Sequence, residues 1–111
     1  MPIGLQPRTP EPTPKHAPCS VYLLASMPNG TLYVGSTSDL VRRVWEHKAK
    51  AVLGFTRKYD VDRLVWFEGY ETLEAAMQRE RRIKDWKRIW KVRLIERDNP
   101  HWIDRYPELS G

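Results

Sequence analysis

The sequence predicts an α+β fold, a small three-stranded antiparallel β-sheet flanked by three α-helices, on three observations. Two short β-rich runs, residues 20–26 and 31–35, are separated by Pro28-Asn29-Gly30. Asn-Gly between apolar runs is a strong hairpin signal, because both residues tolerate φ > 0. A third run, Arg63-Leu64-Val65-Trp66-Phe67-Glu68, is apolar nearly throughout. Three other stretches repeat their apolar residues at helical spacing.

In chain order, residues 1–18 come first and carry six of the nine prolines. Proline removes backbone donors and the segment has little apolar content, so a flexible tail with polyproline II character is expected. In the hairpin, closing the turn with Met27 opposite Leu32 sets Ser26 against Tyr33. Tyr22 then shares a sheet face with Tyr33, since side chains alternate with period two. Thr37-Ser38-Asp39 supplies N-cap chemistry for a helix over residues 40–52, whose stripe is Leu40, Val41, Val44, Trp45, Ala49 and Val52. Arg43 and His47, four apart, lie together beside that stripe.

Residues 53–62 read as a loop around Gly54. The third run lacks alternation, so it is expected to be central or covered on both faces, with Gly69 ending it. Thr72 can cap a helix over residues 73–84. Another follows over 86–97, with Trp86, Ile89, Trp90 and Leu94 as its stripe, and Asn99-Pro100 stops it. Trp102 and Ile103 are expected to fold back onto the core. The domain is placed at residues 19–106, and 107–111 form a C-terminal tail.

At 111 residues the chain holds one domain. Its single cysteine, Cys19, excludes a disulfide framework, and His16, His47 and His101 are too scattered for a zinc finger. No apolar run approaches the roughly 18 residues of a membrane span, and the N-terminus lacks a signal-peptide pattern. A cytoplasmic protein without membrane contact is expected. The net charge is +5, and residues 79–97 hold nine Lys and Arg against Glu80, Asp85 and Glu96. With five Trp and five Tyr alongside, that basic segment suits either a solvated helix face or a phosphate-bearing partner.

Glu80 is the anomaly. It sits on the stripe formed by Leu73, Ala76, Met77 and Ile83, where a carboxylate is costly unless paired or bound to a cation. An ion pair with Arg43, a wet stripe edge and a metal site all remain open. One carboxylate without metal-grade His or Cys suits a hard ion such as Mg²⁺, completed by water and phosphate.

These residues resemble the GIY-YIG nuclease domain shared by the excision-repair incision subunit and certain homing and restriction endonucleases. The first triplet appears as Val21-Tyr22-Leu23 and the second as Tyr33-Val34-Gly35. Arg43 follows ten residues after the second tyrosine, His47 comes four later, and Glu80 matches the metal-binding glutamate of a later helix. The resemblance spans about residues 20–106. It is closest to small stand-alone bacterial members, with shared endings such as Trp90-Lys91-Val92-Arg93-Leu94-Ile95-Glu96 and Asn99-Pro100-His101-Trp102. In departure from the pattern, Val21 and Leu23 replace Gly and Ile. Ser36 stands where some members have Lys, and Asn99 alone can match an Asn found in others.

The resemblance implies an endonuclease that hydrolyses DNA phosphodiester bonds with Mg²⁺ or Mn²⁺, in repair or recombination. Tyr22, Tyr33, Arg43, His47 and Glu80 would be catalytic, with Glu80 holding the metal and Gly35, Ser36 and Asn99 in support. Tyr22 is the expected base and Tyr33 the positioner, although a phenol with a pKa of about 10 needs nearby positive charge. Lys50, Arg57, Lys58, Arg79, Arg82, Lys84 and Lys87 would contact nucleic acid. Branched and single-stranded DNA are candidate substrates, RNA stays open, and an unidentified protein partner would supply targeting. The alternative is a nucleic-acid binding module of the same fold with little or no turnover. A protein-interaction domain using exposed Trp and the Pro-rich tail is a third reading.

Overall fold

The computed structural model describes residues 17–109. Strands β1 (Cys19–Ala25), β2 (Leu32–Thr37) and β3 (Arg63–Tyr70) form one sheet in the order β2-β1-β3, antiparallel throughout. The helices are α1 (Leu40–Lys48), α2 (Phe55–Lys58), α3 (Leu73–Lys84), α4 (Arg88–Asp98) and α5 (Tyr106–Leu109). The expected three-stranded α+β architecture is what the chain adopts, with two short helices added. No helix among the described residues is long and apolar enough to cross a membrane. Of the expected N-terminal tail, residues 1–16 lie outside the described residues.

The hairpin register differs from the expected one by two residues: Ala25 pairs with Leu32 and Leu24 with Tyr33. The reason is the turn. Asn29 alone takes a left-handed φ of 60°, the Gly30 amide donates to the Met27 carbonyl, and the Ser26 amide donates to Thr31. The tight turn is thus centred on Pro28-Asn29 rather than Asn29-Gly30. A shift of two preserves parity, so Tyr22 and Tyr33 still share a face.

Strand β1 is buried along its whole length and divides the core. Val21, Leu23 and Ala25 meet Ala76 and Ile83 of α3, Leu94 and Ile95 of α4, and Trp102. Tyr22 and Leu24 face Leu40 and Val44 of α1 on the other side. Strand β3 is an edge, not the central strand. Leu23 pairs with Trp66 and Leu24 with Leu64, leaving Val65 as a bulge. The bulge puts Leu64 and Phe67 in one cluster and Val65 and Trp66 in the other, which accounts for the unalternating run.

Helix α1 starts where expected, with the Arg42 amide donating to the Asp39 carboxylate at 3.1 Å, but stops at Lys48. The Ala51 amide donates to Glu46 and the Lys50 amide to His47, with Lys50 at φ 59°; this is a Schellman stop on a residue other than glycine. Its buried face is Leu40, Val44 and His47, whereas Val41 and Trp45 are exposed. Leu73 and Met77 of α3, Ile89 and Trp90 of α4, and Ile103 are exposed as well, contrary to the expected stripes. Trp102 does return to the core. Residues 106–109 form α5, and Tyr106 and Leu109 pack against the Tyr22 cluster; of the expected C-terminal tail, residues 110 and 111 lie outside the described residues.

Candidate active site

Tyr22 occupies the middle of β1, where every side chain is buried, and it is only 1% exposed. Its partner across the ladder is Gly35. A Cβ built on Gly35 would lie 2.4 Å from the phenol oxygen and 2.5 Å from Cζ. Gly35 has no left-handed φ, so it is glycine to make room. The Tyr22 ring occupies the space that a side chain at position 35 would need.

The Tyr22 hydroxyl is 3.1 Å from His47 Nε2, and His47 Nδ1 is 2.9 Å from Thr56 Oγ1. Tyr33 completes the group, its ring centroid 5.5 Å from that of His47 and 6.3 Å from that of Tyr22. The Arg43 guanidinium, bonded to Glu46, is near enough for its charge to bear on the Tyr22 phenol. Donation of the phenol proton to His47 Nε2 places the imidazole proton on Nδ1, facing Thr56. Burial, followed by the Tyr33 phenol, pushes the Tyr22 pKa far above its ordinary value, and the Arg43 contact opposes this only in part. Burial, then the Arg43 charge, lowers the His47 pKa. The resting pair is a protonated phenol and a neutral imidazole.

Glu80 approaches from the opposite side of the sheet, at the edge of β2. The Ser36 hydroxyl donates to its Oε1, and Lys84 Nζ sits 2.6 Å from Oε2. This pairing resolves the cost of a carboxylate whose side chain is 17% exposed. The ion pair with Arg43 does not form; Arg43 binds Glu46 at 3.1 Å. Glu80 is near enough for its charge to bear on Tyr22, and Tyr33 bears on Lys84 in the same way. A cleft of about 440 Å³ opens beside it, lined by Ser36, Arg42, Arg43, Glu46, Leu73 and Met77 among others.

The other expected contacts divide. Lys50 pairs with Asp60 at 2.8 Å, and Arg79 pairs with Glu68 at 3.1 Å while covering the Trp86 ring. Arg57, Lys58, Arg82 and Lys87 are exposed. Asn99 is buried away from the cluster. Its Nδ2 donates to the Val65 and Ile103 carbonyls and its Oδ1 accepts from the Ile103 amide, so it fastens the C-terminal segment to β3. Sequence reasoning missed Thr56, a loop threonine with no pattern of its own. It also missed Lys84 as the partner of Glu80, although their i,i+4 spacing was the available signal.

A family model described as the GIY-YIG catalytic domain matches residues 18–93. The chain belongs to the GIY-YIG family. That makes it a nuclease-family domain, whose expected substrate is nucleic acid. The matched stretch holds Tyr22, Tyr33, Arg43, His47 and Glu80 and ends before Asn99. Among its relatives, a UPF0213 protein of Natronomonas pharaonis is 43% identical over 75 residues, covering 68% of this chain and 87% of that protein. A UPF0213 protein of Haloquadratum walsbyi is 42% identical over 66 residues, covering 60% and 74%. The solution NMR structure of the UPF0213 protein BH0048 from Bacillus halodurans is 30% identical, covers 73% of this chain and 85% of that one, and superposes with a TM-score of 0.46. These names state no activity. In this GIY-YIG domain the two tyrosines of the triplets lie on one sheet face, with the His47 ring against both and Arg43 lining the cleft.

Proposed function

We propose that the protein is a divalent-metal-dependent endonuclease that hydrolyses phosphodiester bonds in DNA. The observation that supports this best is the grouping of Tyr22, Tyr33 and His47 on one sheet face, with Arg43 lining an open cleft that also holds Ser36, the partner of Glu80. Phosphate binding alone does not call for a carboxylate there.

The donor set fits a hard cation. No group of three or more His, Cys, Asp or Glu stands together among the described residues. The chain therefore offers one carboxylate, the coordination Mg²⁺ accepts when water and phosphate supply the rest. Lys84 already places a cation on Oε2, and its exposed, flexible stem can withdraw. Bound at Glu80, Mg²⁺ or Mn²⁺ would polarise the phosphate and stabilise the leaving 3′-oxygen.

Arg43 presents fixed charge to the phosphate as negative charge builds on it. Tyr33, the more exposed phenol, orients the attacking water. Burial favours the protonated form of Tyr22, and so a relay over the phenolate base expected from sequence. Tyr22 passes a proton instead. As its oxygen takes a proton from water, its own proton moves to Nε2 of neutral His47, and Tyr22 never ionises. The water oxygen bonds to phosphorus, the P–O3′ bond breaks, and the 3′-oxygen takes its proton from solvent.

The test is cleavage of plasmid, single-stranded and branched DNA, and RNA, with Mg²⁺, Mn²⁺ or EDTA, using wild type beside Glu80→Ala and Tyr22→Phe. Metal-dependent cleavage lost in both folded variants is expected. Cleavage that survives Glu80→Ala overturns the assignment. Both oxygens of Glu80 are engaged within the chain, which favours the binding module as the second reading. Binding without cleavage of any substrate would establish it.

A further inference from the structure

Helix α2 is a single turn with two opposed faces. Thr56 is its buried residue, and the Thr56 hydroxyl is fixed to His47 at 2.9 Å. The neighbours of Thr56 point out. Phe55 and Tyr59 are 46% and 49% exposed yet lie against each other, ring centroids 5.0 Å apart at 53°. Lys58 Nζ stands 5.4 Å over the Tyr59 ring, and Arg57 is exposed beside it. Neither Arg57 nor Lys58 has an acidic partner among the described residues, although Asp60 and Asp62 are close in sequence and pair with Lys50.

We propose that Phe55 and Tyr59, with Arg57 and Lys58, form a platform on which an unpaired base of a nucleic-acid strand stacks next to the cleavage site. Two exposed rings flanked by unpaired cations match the two chemistries of a single strand, a π-face on each base and a charge on each phosphate. A duplex offers such a platform its phosphates but no base faces, because its bases are stacked on one another. The link through Thr56 makes this a part of the site rather than a remote patch: the same helical turn that carries the rings sets the Thr56 hydroxyl 2.9 Å from His47 Nδ1. This inference rests on the nucleic-acid reading above and narrows it to strands with unpaired nucleotides, such as single-stranded, flapped or branched DNA.

The experiment is a binding titration of the full chain in EDTA, so that cleavage does not intervene. Labelled single-stranded and duplex DNA of the same sequence are compared for wild type, Phe55→Ala, Tyr59→Ala and Arg57→Ala. Circular dichroism checks that each variant is folded. Phe55→Ala and Tyr59→Ala are each expected to weaken single-strand binding roughly five- to a hundredfold and to leave duplex binding within about twofold. Arg57→Ala should weaken both and lower the salt slope by about one. Equal losses on duplex and single strand, no loss on either, or a wild type that binds no nucleic acid would each overturn the platform. Cleavage is measured separately. A protein that shows the selective losses but cuts nothing keeps the platform and loses the nuclease reading. One that cuts single strands undisturbed by Phe55→Ala and Tyr59→Ala does the reverse.

Discussion

Gly35→Ala puts the arrangement of the site under direct strain. The new methyl group would stand 2.4 Å from the Tyr22 oxygen, 2.5 Å from Cζ and 3.0 Å from Cε1, all inside van der Waals contact. The ring has little room to retreat, since Tyr22 is 1% exposed and its hydroxyl is bonded to His47. Overpacking a close-packed core costs about 1–3 kcal/mol. If the ring turns away, buried His47 Nε2 loses its donor, adding about 1–3 kcal/mol. The expected loss is roughly 2–6 kcal/mol, a large share of the about 5–15 kcal/mol typical of a domain. Urea unfolding measures it. Tyr22→Leu lacks all three contacting atoms, so Gly35→Ala in that background should cost less, with a coupling of about 0.5–3 kcal/mol. A loss under about 0.5 kcal/mol in the wild-type background, or no coupling, would refute the claim that Gly35 is there to seat the Tyr22 ring.

His47 gives a pH test. Above its unfolded pKa of about 6.5 both states hold it neutral. Below that, the unfolded chain takes a proton that the native site, with its lowered pKa, refuses, so stability falls on acidification with a slope of at most about 1.4 kcal/mol per pH unit. Urea midpoints between about pH 5 and 7.5 should show this component in wild type and lose it in His47→Gln. Asn99→Ala orphans the groups it joins and should cost about 2–4 kcal/mol in the same assay, while cleavage per folded molecule stays unchanged. Lys84→Met removes the ammonium that competes for Glu80. It should lower the Mg²⁺ concentration for half-maximal cleavage by about twofold, in proportion to the modest strength of an i,i+4 pair.

How much of this was legible depends on the range over which each feature is decided. Strand parity is local. A register expected two residues off still put Tyr22 and Tyr33 on one face, because the error was a whole period. The caps at Asp39 and Thr72 are local too, and both hold as expected. Helix faces were less legible. Counting apolar residues placed Val41 and Trp45 of α1 inward, whereas the helix turns Leu40, Val44 and His47 to the sheet. The polar tip of Tyr22 is what makes a buried histidine affordable there. The bulge at Val65 leaves no mark in a run that is apolar whichever face each residue takes.

The residues of the site could be gathered from their types and order, but their roles could not. Whether Tyr22 is a base depends on burial and on two neighbours, Arg43 and His47, that bear on it from another element. Whether His47 can accept a proton depends in turn on Thr56, which holds the far side of its ring. Glu80 finds Ser36 at a separation of 44 residues, beyond any periodic signal. The chemistry of this edge is therefore a property of four segments held in contact, strands β1 and β2 and helices α1 and α3, with α2 fixing the imidazole from outside. A substitution in α2 that leaves every triplet residue untouched can still change which nitrogen of His47 carries the proton, and with it the direction in which Tyr22 donates.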